Sequence, residues 1–165
     1  MDDIYGSIKE LSANIVKKCS EQGLKVTTAE SCTGGMISAA ITSVSGSSSV
    51  IELGICSYSN RIKREVLGVS ELTLDKLSEY SMECADEMAK RALKLSGADF
   101  AVSTSGVAGP SGGTDTNPVG TVYISVCSKE RTVTEKHVFE DRGRDYIRAA
   151  ATKKALSMLL EIISI

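Results

Sequence analysis

The chain has 165 residues, 42% hydrophobic and 24% charged, which suits one domain with its own apolar core and excludes a disordered segment. A net charge of −2, no tryptophan and two phenylalanines exclude a basic nucleic-acid surface and an aromatic platform for single strands. Five cysteines at unrelated spacings and one histidine exclude a disulfide framework and a His/Cys zinc site.

No run of 18 apolar residues offers a membrane span, and Met1-Asp2-Asp3 lacks the basic start of a signal peptide. Free thiols in a reducing compartment then predict a cytoplasmic protein. Ile4, Ile8, Leu11, Ile15, Val16 and Cys19 recur at helical spacing and predict a helix over 3–22, ended by Gly23. A short strand follows at 24–28, then the segment Glu30-Ser31-Cys32-Thr33-Gly34-Gly35 and a helix over 36–43. A polar loop at 45–49 precedes an apolar strand at 50–58. Helical segments at 61–67 and 73–80 are separated by Gly68, and a further helix spans 82–95.

A strand at 100–105 leads into 106–118, which holds four glycines and both prolines and must be loop. Strands at 119–127 and 132–139 read as an adjacent pair, and a helix at 145–163 closes the chain. Strands alternating with helices predict a three-layer α/β/α fold with a mixed, mostly parallel sheet, the late pair supplying an antiparallel element. The whole of 1–165 reads as a single domain.

Three segments have the composition of a site. Glu30 to Gly35 stands where a strand hands over to a helix, so free N–H groups and the positive helix end suit an anion or an oxyanion. Gly34 and Gly35 permit close approach of a ligand to the backbone. The segment is neither a Walker A loop nor a dinucleotide fingerprint, and Ser31 or Thr33 equally fits a plain helix cap. Tyr58-Ser59-Asn60-Arg61-Ile62-Lys63 lies at a strand end, where open α/β sheets form their crevice. As alternatives, Tyr58 is a core residue and Lys63 a solvated helix charge. The loop Ser105-Gly106-Val107-Ala108-Gly109-Pro110-Ser111-Gly112-Gly113-Thr114 is long and glycine-rich, which marks functional or mobile loops.

His137 alternates with Val133, Glu135 and Phe139 in a strand pattern, which favours a strand histidine over the base of a Ser-His-Asp triad. A nucleophilic Ser31 would then need a lysine of depressed pKa, or a tyrosine, as its base. Cys32 is a rival nucleophile, although two adjacent residues cannot both face one pocket. Arg142, Arg144 and Arg148 lie near the start of the last helix. Arg144 and Arg148 are four apart and share a face fit for a phosphate or a carboxylate.

In order and spacing these pieces resemble the C-terminal domain of the CinA family. The resemblance rests on Ala29 to Gly35, on Tyr58-Ser59-Asn60 with Lys63, and on Ser105 to Pro110 with Gly112-Gly113-Thr114 and Pro118-Val119-Gly120-Thr121-Val122. It runs from the first helix to the last. It implies an amidase that hydrolyses the carboxamide of nicotinamide mononucleotide, with Ser31 as nucleophile, Lys63 as its partner and Tyr58 nearby. Neutral Lys63 would take the Ser31 proton, Tyr58 would orient Lys63 or relay a proton, and N–H groups near Thr33 to Gly35 would hold the oxyanion.

Substrate contacts are then expected from Thr33, Gly34, Gly35, Asn60, Ser105, Gly106, Gly109, Gly112, Gly113, Thr114, Arg144 and Arg148, with no metal and no cofactor. The expected partner is the nucleotide, not nucleic acid or membrane, and self-association into a closed symmetric assembly is expected. An inactive nucleotide-binding regulatory module, or a thiol enzyme using Cys32, are the competing readings.

Two features depart from the family pattern. Leu77-Ser78 stands where His-Gly is usual, and Phe139-Glu140-Asp141-Arg142-Gly143-Arg144 is one residue longer than the usual acidic residue and Arg after Phe-Pro-Gly. Longer members also carry an additional N-terminal domain that has no counterpart in these 165 residues.

Overall fold

The computed structural model describes residues 2–165. Helix α1 (Asp2–Gln22) precedes β1 (Val26–Glu30), α2 (Met36–Thr42) and β2 (Ile51–Cys56). A three-residue turn, α3 (Asn60–Ile62), widens into a π-helical turn over Lys63–Leu67, and a second π-helical turn covers Thr73–Leu77. Helix α4 (Met82–Ser96), β3 (Phe100–Gly106), β4 (Thr121–Cys127), β5 (Thr132–Val138) and α5 (Arg144–Ile163) complete the chain.

The five strands form one sheet in the order β2-β1-β3-β4-β5. β1 pairs in parallel with β2 and β3, whereas β4 is antiparallel to both β3 and β5. β4 is thus the one strand running against the other four, the antiparallel element that the late strand pair predicts. The two-residue alternation of side chains divides the core between the sheet faces. Val26, Val102, Val122, Ile124 and Val126 pack with α1, α2 and α5 in the larger cluster. Ala29 and Ala101 face α4, where Met88, Ala89 and Ala92 meet them. Small residues on that face let α4 lie close to the sheet. Ile147, Leu156 and Leu159 of α5 are fully buried, each contributing about 1.5–3 kcal/mol through removal from water.

One boundary difference falls at the site. β1 starts two residues later than its sequence pattern predicts and runs to Glu30, so Ser31 is the first residue off the strand. The two segments read as ordinary helices are instead wide π turns, the first closed by Gly68 at φ +77°, with Val69 N–H donating to the Lys63 carbonyl. Ser78 adopts φ +88° and ψ 148°, a conformation almost confined to glycine. Among the described residues, no helix is long and apolar enough to cross a membrane.

Candidate active site

The serine loop is organised by a buried carboxylate. Glu30 is fully buried at the end of β1, and both of its oxygens accept hydrogen bonds from the start of α2. Oε2 accepts from Thr33 Oγ1 at 2.7 Å and from the N–H groups of Gly35 and Ile37 at 3.0 Å. Oε1 accepts from Ser38 N–H at 2.9 Å, Ser38 Oγ at 2.8 Å and Thr28 Oγ1 at 3.3 Å. An anion placed on unpaired N–H groups satisfies them and the helix dipole together. The loop between Glu30 and α2 is therefore bent into one shape, with Ser31 at its apex and its N–H donating to the Thr104 carbonyl of β3 at 3.0 Å.

Opposite it stands Lys63. Its side chain is 1% exposed, and Nζ donates to Ser31 Oγ at 3.2 Å and to the main-chain carbonyl of Tyr58 at 3.4 Å. Among the described residues it has no ion pair. Burial lowers its pKa from the usual lysine value, with the opposing pull of Cys84, Glu79 and Cys32 too weak to restore it. A neutral amine beside a serine hydroxyl is a base and nucleophile pair.

The pair opens into a cavity of about 120 Å³. Tyr58, Asn60 and Arg144 form one side; Gly106 to Gly109 with Ser111, and Glu79 with Tyr80, form the others. Arg144 closes the rim: Nη1 donates to the Gly109 carbonyl at 2.8 Å and Nη2 to the Tyr58 hydroxyl at 2.9 Å. Gly109 has φ +76°, and a Cβ there would come within 2.6 Å of Val119, so this turn needs glycine.

Residues 8–163 match the CinA C-terminal domain. The chain belongs to the CinA family. It is 47% identical over 162 residues to a relative from Caldicellulosiruptor saccharolyticus whose name describes it as competence-damage inducible, covering 97% of this chain and 39% of that protein. A CinA-like protein of Shewanella sediminis is 42% identical over 153 residues, covering 93% of this chain and 36% of that protein. The chain thus spans under two fifths of the length of these relatives.

Among solved structures, the competence/damage inducible protein CihA of Agrobacterium tumefaciens superposes with a TM-score of 0.93 at 40% identity, over 94% of this chain and 95% of that one. A competence damage-inducible protein A of Klebsiella pneumoniae gives 0.90 at 36% identity, over 95% and 97% of the two chains. The CinA fold is therefore the α/β/α arrangement described above.

Within this CinA domain, the structure gathers Ser31, Tyr58, Asn60, Lys63, Gly106, Gly109 and Arg144 around one cavity and leaves other expected contacts outside it. Thr33 is turned inward onto Glu30 and Thr104, and the N–H groups of Gly34 and Gly35 are engaged by the Ser31 carbonyl and Glu30. Of the expected oxyanion donors, only Thr33 N–H has no carbonyl or carboxylate acceptor among the described residues; Cys32 N–H is in the same state. Ser105 Oγ donates to the Glu79 carbonyl at 2.6 Å and serves the fold. Gly112, Gly113 and Thr114 are exposed beyond the cavity, in a turn where Thr114 Oγ1 accepts from Asn117 N–H.

Arg148 is the clearest correction. Its Nε and Nη2 donate to the carbonyls of Cys32 and Thr33, each at 3.1 Å, so it braces the serine loop from behind instead of facing a phosphate. Arg142 lies over the ring of Tyr146 at 4.4 Å, away from the cavity. Tyr58 approaches Lys63 through its carbonyl, while its hydroxyl faces Arg144, so its side chain does not orient the lysine. His137 stacks on Phe139 and contacts Glu135 at 2.9 Å, outside the cavity, which removes it as a base for Ser31. Cys32 does line the cavity, but burial pushes its thiol up to about 12, opposite to what a thiolate nucleophile needs.

Sequence reasoning missed Glu30 as organiser and Glu79 with Tyr80 as lining. For Glu79 and Tyr80 the available signal was the departure at Leu77-Ser78, which adjoins them in sequence.

Proposed function

We propose that the domain is an amidohydrolase that converts nicotinamide mononucleotide to nicotinate mononucleotide and ammonia through a Ser31 acyl-enzyme. The observation that carries this reading is the buried Lys63 amine at 3.2 Å from Ser31 Oγ, with its charged form disfavoured by burial. Neutral Lys63 takes the Ser31 proton as Oγ attacks the carboxamide carbon. The N–H groups of Cys32 and Thr33 hold the developing oxyanion, the residue after the nucleophile being a common donor in serine hydrolases. The lysine then delivers its proton to the departing amine, the C–N bond breaks and ammonia leaves. Lys63 next deprotonates a water that attacks the acyl carbon, Ser31 recovers its proton, and the nicotinate carboxylate is released. In this reading Arg144 at the rim, bonded to Gly109 and Tyr58, is the cation that receives the substrate phosphate.

Ammonia release from the mononucleotide by purified protein tests the proposal. Ser31→Ala removes turnover by several orders of magnitude with the fold intact, and Cys32→Ala keeps most of it. An intact protein that binds the nucleotide and releases no ammonia is a binding module. Activity lost in Cys32→Ala and kept in Ser31→Ala makes it a thiol enzyme.

A further inference from the structure

We propose that Glu79 selects a carboxamide over a carboxylate at Ser31; the inference rests on the amidase reading above. The backbone around Glu79 is fixed at four points. Ser105 Oγ donates to the Glu79 carbonyl at 2.6 Å, and Asn117 Nδ2 to the Tyr80 carbonyl at 3.1 Å. Tyr80 N–H donates to Ser78 Oγ at 3.1 Å, and Ser81 Oγ to the Ser78 carbonyl at 2.8 Å. Glu79 is held in the wall of the same cavity as Ser31 and Lys63.

Glu79 is half-buried, and its carboxylate makes no hydrogen bond or ion pair with any described residue, unlike Glu30 and Glu87, whose oxygens are met by several donors. It lines the cavity with the reacting pair, and its negative charge works against the lowering of the Lys63 pKa and adds to the rise at Tyr80. Of the cavity's other charged groups, Arg144 is bonded at the rim to Gly109 and Tyr58, and Lys63 is neutral in the active form. Glu79 is then the charge that an incoming headgroup meets inside.

An ionised carboxylate only accepts hydrogen bonds. A carboxamide offers it two N–H donors; a carboxylate offers none and brings a like charge. Hydrolysis replaces the first group by the second, so one contact holds the substrate and expels the product. Like charges roughly 6 Å apart at an effective dielectric of about 20 correspond to a discrimination of roughly tenfold to hundredfold.

Titration calorimetry on Ser31→Ala protein, which cannot turn substrate over, measures the affinities for nicotinamide mononucleotide and nicotinate mononucleotide side by side. The amide should bind at least tenfold more tightly. In Ser31→Ala/Glu79→Gln the ratio should fall by roughly tenfold or more, mainly through tighter binding of the acid, and in Ser31→Ala/Glu79→Asp it should be largely retained. A ratio unchanged by Gln, equal losses in Gln and Asp, or no binding of either nucleotide overturns the proposal. Ammonia release is scored separately on wild type: its absence with the Glu79-dependent ratio intact removes the amidase reading and leaves the selection standing.

Discussion

The guanidinium of Arg148, on the second turn of α5, donates to the carbonyl of Cys32 at 3.1 Å across 116 residues of sequence. With its second bond to Thr33, it holds the main chain beside Ser31 from the side away from the cavity. Arg148→Ala leaves two carbonyls without their charged donor, an expected loss of about 2–3 kcal/mol in chemical denaturation. The loosened serine loop should lower kcat up to about a hundredfold with little change in KM, since an ångström of misplacement has that cost. A rise in KM with kcat intact would return Arg148 to the substrate.

Glu30 is the matching brace from inside the loop. Every partner of its two oxygens is a donor, so Glu30→Gln turns an amide –NH2 toward N–H or O–H groups whichever way it is flipped. The expected loss is about 2–3 kcal/mol, large for a change that conserves shape. Thermal unfolding of the variant measures it, and a loss below about 0.5 kcal/mol would show that the carboxylate is dispensable.

Lys63 predicts two pH dependences. As a base it works only when neutral, so kcat/KM should rise with pH and level off at an apparent pKa below the ordinary 10.5 of lysine. Lys63→Arg should not rescue activity, because guanidinium keeps its proton. For stability the sign is the same: the unfolded lysine holds its proton up to 10.5, while the buried one releases it at lower pH. The unfolded state therefore binds more protons between those values, and stability rises with pH across that window. Urea denaturation at several pH values should show this slope in wild type and lose it in Lys63→Met.

Arg144 and Tyr58 should separate binding from chemistry. Arg144→Ala should raise KM for the mononucleotide about tenfold, the exposed position limiting the effect, with a much smaller change in kcat. The riboside, which lacks phosphate, should be insensitive. Tyr58→Phe removes only the acceptor of an exposed Arg144 bond, so the Lys63 limb of the pH profile should stay in place. A displaced limb in Tyr58→Phe would assign the hydroxyl to the lysine.

Ser78 at φ +88° and ψ 148° occupies a region that costs a non-glycine residue about 1–3 kcal/mol. Ser78→Gly relieves that strain at the expense of unfolded-state entropy and of the Ser78 Oγ bond from Tyr80 N–H. A net gain of about 1 kcal/mol is expected, or about 2–4 °C in Tm. A loss of stability would mean that the Tyr80 bond outweighs the strain.

Much of this was legible in the residues alone. Helical spacing from Ile4 to Cys19, the stops at Gly23 and Gly68, and the alternation of helical and strand patterns set the α/β order, because burial of an apolar stripe depends on local periodicity. Ser31 at a strand-to-helix junction and Lys63 after a strand end were placed by the same logic, since strand ends of an α/β sheet converge on one edge.

What lies opposite a side chain was decided only by the tertiary structure. Arg144 and Arg148 share a helix face by spacing, yet the first reaches the cavity rim and the second the back of the serine loop. The amides of Gly34 and Gly35 suit an anion in isolation, yet the first donates to the Ser31 carbonyl and only the second to Glu30 of their own chain. Helix and strand periods fix the direction of a side chain about its own axis, while its partner is set by packing between segments distant in sequence, which no local pattern encodes.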